Sequence, residues 1–337
     1  MLTVEVTDSS NKPVAALTQE NFTVLDNHKP QKIAVFHEVD GSAASAGVHG
    51  IVVLDGINDG GSAVGRVKKD LGKFLSQSKA PLTFPLSLVF VSEGGATESE
   101  PSTDRGVLAA QLAQMARLPH SSDCGRTGSS IEGSRIQQQP NVTLGTREQD
   151  QADCVNSHLL QSISALRDVL GEQANVRGRG ILVWAGSGWP MVAEYSAEPA
   201  AGNHRGNFRD ILVELTTNLR EAQVTLDAIS WGDFEHPKNI RKPILSADAS
   251  VPFTPDQIAE ESMSLPALAQ SSGGQAVART KDFADAFAAF LADADRFYEL
   301  SFDSVPSAAP DEFHSIEVKV DRPGVTVRTS TAYFAQP

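Results

Sequence analysis

The stretch "GIVVLDGINDGGS", Gly50 to Ser62, decides the fold. Four apolar residues, Ile51 to Leu54, run into Asp55, and a polar, glycine-rich turn carrying Asn58 and Asp59 follows. A short continuous apolar run, unlike an alternating one, marks a strand buried on both faces, as in a parallel sheet. Such a strand needs a helix over it, and "VGRVKKDLGKFLSQ" supplies one. Val64, Val67, Leu71, Phe74 and Leu75 recur there at helical spacing and would share one face.

The same alternation continues outward along the chain. "LSLVFVS" reads as a strand, and "DRGVLAAQLAQMARL" as a helix with Asp104 placed to cap it. "CVNSHLLQSISALRDVLGE" is a helix, "GILVWAG" a strand, "NFRDILVELTTNLREAQ" a helix and "VTLDAIS" a strand. A helix around "SMSLPALAQSSGG", a short strand "QAVA" and a helix "DFADAFAAFLADADRF" complete the series. Strands alternating with helices predict an α/β, Rossmann-like parallel sheet with helices on both faces. The two ends of the chain have another texture. "LTVEVTD", "FTVLD" and "QKIAVFHEV" at the start, and "RFYELSFDS", "HSIEVKVDR" and "GVTVRTSTAYFA" at the end, follow the period of two. The simplest architecture has residues 1–46 and 296–337 building one small β-domain beside an α/β domain of residues 47–295. Within the latter, residues 119–153 are rich in Ser, Gly, Gln, Asp and Arg without any period, and read as a loop insertion.

The chain has 337 residues, and its 28 basic against 42 acidic residues give a net charge of −14. That balance argues against a nucleic-acid or anionic-membrane surface. No apolar run has the ~20 residues of a membrane-spanning helix. "MLTVEVTDSS" enters its alternation at once and leaves no room for a secretory signal. Cys124 and Cys154, the two cysteines, bracket the polar insertion. They read best as a disulfide, against the alternative of two unpaired thiols, and the expectation is an extracytoplasmic protein whose export signal has been trimmed, the alternative being a cytosolic one. Such a bridge would stabilise the fold by roughly 3–4 kcal/mol.

Four segments in order resemble the VWFA-related proteins of the acidobacterial type. These are "VTDSSNKPVAALTQENFTVLDNHKPQKIAVF", "VRGRGILVWAGSGWP", "LAQSSGGQAVARTKDFADAFAAFLADADRFYELSFDS" and "FHSIEVKVDRPGVTVRTSTAYFA". The resemblance implies a Rossmann-like von Willebrand A domain with an immunoglobulin-like partner, and an adhesion or protein-binding role. In adhesion-type A domains a divalent ion sits at the end of the first strand, on an Asp-x-Ser-x-Ser pattern aided by a Thr and by an Asp after a later strand. Hydroxyl and carboxylate oxygens suit such hard ions. Here Asp55 holds the first position, but Ile57 stands for the first Ser and Asp59 for the second. Where the later Asp belongs, the chain has Ala185, Gly186 and Ser187. With two expected oxygens missing, the expectation is a degenerate site with no metal and no cofactor. Asp55 would then cap the helix or hold the turn. The alternative is weak chelation of Mg²⁺ or Ca²⁺ by Asp55, Asn58 and Asp59.

Other chemistry is thinner still. "AGSGW" around Ser187 lacks the glycines of a nucleophile elbow. There is no P-loop, no dinucleotide fingerprint and no close histidine pair. Trp184, Trp189 and Trp231 lie at or just past strand ends, where open α/β sheets take ligands, so they are either a contact face or packing. The expectation is a non-enzymatic module that holds a protein partner at the rim formed by Asp55, Asn58, Asp59, Gly186, Ser187, Trp189 and Trp231. A hydrolase on the α/β sheet is the less favoured reading.

Overall fold

The computed structural model describes residues 1–41, 43, 46–59, 61–115, 144–186, 188–189, 203–230, 265–278, 280, 282–304, 307 and 309–335. Its centre is a sheet of six strands. In chain order these are β5 (His49–Asp55), β6 (Leu86–Ser92), β7 (Gly95–Glu98), β8 (Gly180–Ala185), β9 (Val224–Ile229) and β10 (Ala276–Val277). Their spatial order is β10-β9-β8-β5-β6-β7, and every pairing is parallel except that of β6 with β7. The antiparallel edge comes from a hairpin turning at Glu93 and Gly94, which "LSLVFVS" alone did not announce.

Among the described residues six helices cover the sheet: α1 (Gly61–Ser76), α2 (Arg105–Met115), α3 (Leu144–Gln173), α4 (Asn203–Glu221), α5 (Leu265–Ser271) and α6 (Phe283–Ala292). Side chains of successive strand residues point to opposite faces, so each strand feeds two cores. Val52, Leu54, Leu86, Leu88, Phe90, Ile181 and Val183 pack with α1, α2 and α6. Ile51, Val53, Val89, Leu182, Trp184 and Leu226 pack with α3, α4 and α5 on the other side. All five α1 residues picked out by spacing are buried in the first core. This mixed α/β arrangement, a mostly parallel sheet with helices on both faces, is compatible with a Rossmann-like domain.

The chain ends form two further antiparallel sheets. One has the order β13 (Val325–Arg328), β1 (Leu2–Asp8), β11 (Arg296–Phe302), β4 (Ile33–Asp40). The other runs β14 (Ala332–Ala335), β12 (Glu312–Val320), β2 (Phe22–Asp26), β3 (Lys29–Gln31). Val4, Val6, Tyr298 and Leu300 of the first meet Phe22, Val24, Ile316 and Val318 of the second in a single core. Tyr298 buries its ring there and ties its hydroxyl to the chain. It donates to Val14 O at 2.8 Å and accepts from Leu17 N at 3.3 Å.

Two differences from the sequence reading concern length. α3 starts at Leu144, so the last ten residues of the segment 119–153 are helical and not loop. "LGTREQDQAD" is polar on every side and shows no apolar period, yet Arg, Glu, Gln and Ala are good helix formers. "GVTVRTSTAYFA" is two short strands, because Thr329 and Ser330 leave the ladder. Thr329 Oγ1 donates to Thr3 O, and Ser330 Oγ to Ser271 O. Where the chain passes from the β-sheets to β5, Gly47 and Gly178 touch. A Cβ on Gly178, whose φ is +106°, would lie 2.2 Å from Gly47 O.

Candidate functional site

Strand β5 has β8 on one side and β6, the next strand in sequence, on the other. The chain therefore winds outward in both directions from β5, and ligands of open α/β sheets bind beyond the carboxyl ends at such a point. Asp55 ends β5 there, and Gly186 follows β8.

Asp55 is 1% exposed, and both its oxygens accept hydrogen bonds from the protein. Oδ1 accepts from Ile57 N at 3.0 Å and Asn58 N at 2.9 Å. Oδ2 accepts from Asn58 Nδ2 at 2.7 Å and Trp184 Nε1 at 3.1 Å. Burial pushes this carboxyl above its ordinary range, while the donations from Asn58, Trp184 and Ile57 pull it back. Asn58 is in turn anchored to α3. Its amide nitrogen donates to Ser162 Oγ at 2.8 Å, and that hydroxyl donates to His158 O at 2.9 Å. The side chain of Asn58 thus spans from the end of β5 to the middle of α3.

Ile57, at the position where adhesion-type A domains carry a ligating Ser, is a core residue packed beneath α3 and its neighbours. Asp59 is buried beside Gly186. A Cβ on Gly186 would come within 2.8 Å of Asp59 Oδ2 and 3.0 Å of Asp55 Cβ, so the loop after β8 approaches the acidic turn as closely as a bare backbone allows. Trp189 is 1% exposed and meets Trp184 edge-on, with ring centroids 5.5 Å apart. It packs against Trp184 here, which is one of the two readings that the sequence left open for Trp189. The indole N–H of Trp189 is buried without a partner among the described residues, as is Asn58 Oδ1.

Ser187 and Trp231 lie outside the described residues, as does Cys124. Cys154 lies half-buried on α3, with its sulfur 3.9 Å from His158 Nε2, and no described cysteine is a free thiol. Two residues central to this site, Trp184 as a donor and Ser162 as the anchor of Asn58, were not singled out by sequence for those roles. Trp184 had a signal, because an indole N–H in a buried strand needs an acceptor and Asp55 ends the adjacent strand, two residues past Val53, the register partner of Trp184. Ser162 lies 104 residues from Asn58, and nothing local marks it.

A hard divalent ion takes about six oxygen ligands. Each oxygen of Asp55 already accepts two N–H groups, and Ile57 offers nothing. Asn58 Oδ1 and the Asp59 carboxylate are too few to complete such a cage, so the described donors do not fit the ion that the resemblance implies. Among the described residues no group of three or more His, Cys, Asp or Glu could hold a metal, and no helix is long and apolar enough to cross a membrane.

No protein-family model matches the chain, and no curated protein matches it in sequence. Among solved structures it is similar to an aerotolerance-related membrane protein from Bacteroides fragilis (10% identity, TM-score 0.35, covering 74% of this chain and 98% of that one). It is also similar to the human COPII-coat protein Sec24c (7% identity, TM-score 0.36, covering 89% and 46%). A third is the type V pili tip protein Mfa5 from Porphyromonas gingivalis (13% identity, TM-score 0.22, covering 72% and 35%). Likenesses this loose define neither a fold nor a function.

Proposed function

We propose that this chain is a non-enzymatic protein-binding module of the von Willebrand A type that works outside the cytoplasm. Residues 47–295 form its A domain, and residues 1–46 with 296–337 an immunoglobulin-like companion. The observation that carries this reading is the state of Asp55. At the one position where the fold would hold a metal ion for a partner's acid, the carboxylate is turned inward and holds four protein donors. Recognition at this rim then rests on shape and apolar contact, with Asp55, Asn58, Asp59 and Gly186 fixing the loops, and Ser187 and Trp231 among the contacts. A bridge between Cys124 and Cys154, which the sequence leads one to expect, would fit an oxidising compartment.

The test is capture of a partner from envelope extract on immobilised protein, with and without a chelator. The same proteins should be retained in both arms, and should be lost when Trp231 is replaced by Ala. Capture that needs a divalent ion would overturn the metal-free reading.

A metal-dependent version of the same role has one observation in its favour, the buried Asn58 Oδ1 that has no partner among the described residues. Mg²⁺ or Ca²⁺ bound by Asp55, Asn58 and Asp59 would show itself as a melting temperature that falls on chelation.

A further inference from the structure

Where the antiparallel sheets meet the α/β layers, five charged side chains are enclosed together. Glu5 comes from β1 and Arg328 from β13. Facing them are Arg179 from the turn into β8, Asp227 from β9, and Asp293 from the residue that closes α6. Glu5 accepts from Arg179 through Oε1, and from Arg328 through Oε2 at 2.6 Å. Arg328 also donates to Asp293 Oδ2 at 2.6 Å, and Gln275 Nε2 to the same oxygen at 3.0 Å. Asp227 Oδ1 accepts from Gln275 N at 2.8 Å. Arg179 reaches Thr225 Oγ1 and the Asp293 carbonyl, and lies over the Phe297 ring at 4.7 Å.

This seam is unbalanced, with three carboxylates against two guanidinia. An uncompensated charge removed from water is costly, and the cheapest remedy for a carboxylate is to take up a proton. We propose that this cluster is a proton-linked latch between the terminal β-sheets and the α/β layers, which mild acid tightens by neutralising Asp293. The direction follows from linkage. Burial first, and then the charge of Glu5, raise Asp293 from 3.8 to about 6. Burial also holds Asp227 well above the ordinary carboxylate range, with Glu5 and Asp293 adding to it. Parting the seam would return Asp293 to water and to its ordinary value. The closed seam therefore binds more protons than the parted one between about pH 4 and pH 6. Its stability is full below that window and is lost as pH rises through about 6. With these two values, opening should be about tenfold rarer at pH 5 than at pH 7.5.

Hydrogen exchange on the full chain reads this directly. Amides of β1 and β13, corrected for the intrinsic pH dependence of exchange and referred to those of β5, should show an opening constant at least about tenfold smaller at pH 5 than at pH 7.5. Asp293→Asn, which fixes the side chain neutral, should remove the roughly tenfold share that Asp293 contributes and leave only what Asp227 adds. Asp55→Asn, away from the seam, should keep the difference. Equal opening at both pH values in the unaltered protein, or an undiminished difference in Asp293→Asn, overturns the proposal. If Asp293→Asn does not fold, carboxyl-carbon NMR of the unaltered chain decides. An Asp293 midpoint near 6 supports the latch, and one near 4 overturns it.

Discussion

Asp55 shows what one buried carboxylate can organise. Its two oxygens close the turn after β5 through Ile57 and Asn58, and tie β5 to β8 through the indole of Trp184. Asp55→Ala would leave these donors buried without acceptors, each at about 1–3 kcal/mol. We expect a loss of roughly 3 kcal/mol or more, read as a lower urea midpoint at unchanged slope. Sequence placed Asp55 in this turn and weighed the turn-holding role against the metal, since the Ile57 position already lacked an oxygen. It could not supply the outer half of the network. Trp184 and Ser162 reach the turn from β8 and α3, and contacts between elements so far apart in the chain leave no local trace.

At the scale of elements, helix starts and apolar faces were legible because both are local. Asp104 illustrates this. It sits one residue before α2 and accepts from Gly106 N at 2.7 Å and Val107 N at 3.0 Å. Asp104→Ala should cost about 1 kcal/mol, measured by thermal or urea unfolding, without altering the sheet. Elements whose reason is tertiary were harder to read. The edge strand β7 is four residues, largely exposed and held by its ladder with β6. The first turns of α3 carry no apolar stripe. Trp189 belongs to the same lesson. An aromatic residue just past a strand end reads equally as a contact or as packing, and only the position of Trp184 beneath it decides for packing.

Across the whole molecule, the terminal sheets and the α/β layers share a closed set of charges. Glu5 binds both Arg179 and Arg328, so Glu5→Ala leaves guanidinia enclosed with less than their complement of acceptors. Breaking a buried pair from one side costs about 3–5 kcal/mol, and we expect a loss of that size. The thermal transition should also broaden or divide as the β-sheets part from the helices that flank β9. That the two ends of the chain build sheets together was readable from their shared period of two. Their electrostatic join to the rest was not, since Glu5, Arg179, Asp227, Asp293 and Arg328 look like ordinary surface charges until the fold encloses them.

The central claim is that the acid at the end of β5 pins a turn and does not grip a cation. Isothermal titration of the chelator-treated protein with Mn²⁺, Mg²⁺ and Ca²⁺, repeated on Asp59→Ala, tests it most directly. Flat titrations are expected, with no saturable heat from any of the three ions in either protein. A saturable single-site isotherm in the unaltered chain that vanishes in Asp59→Ala would contradict it.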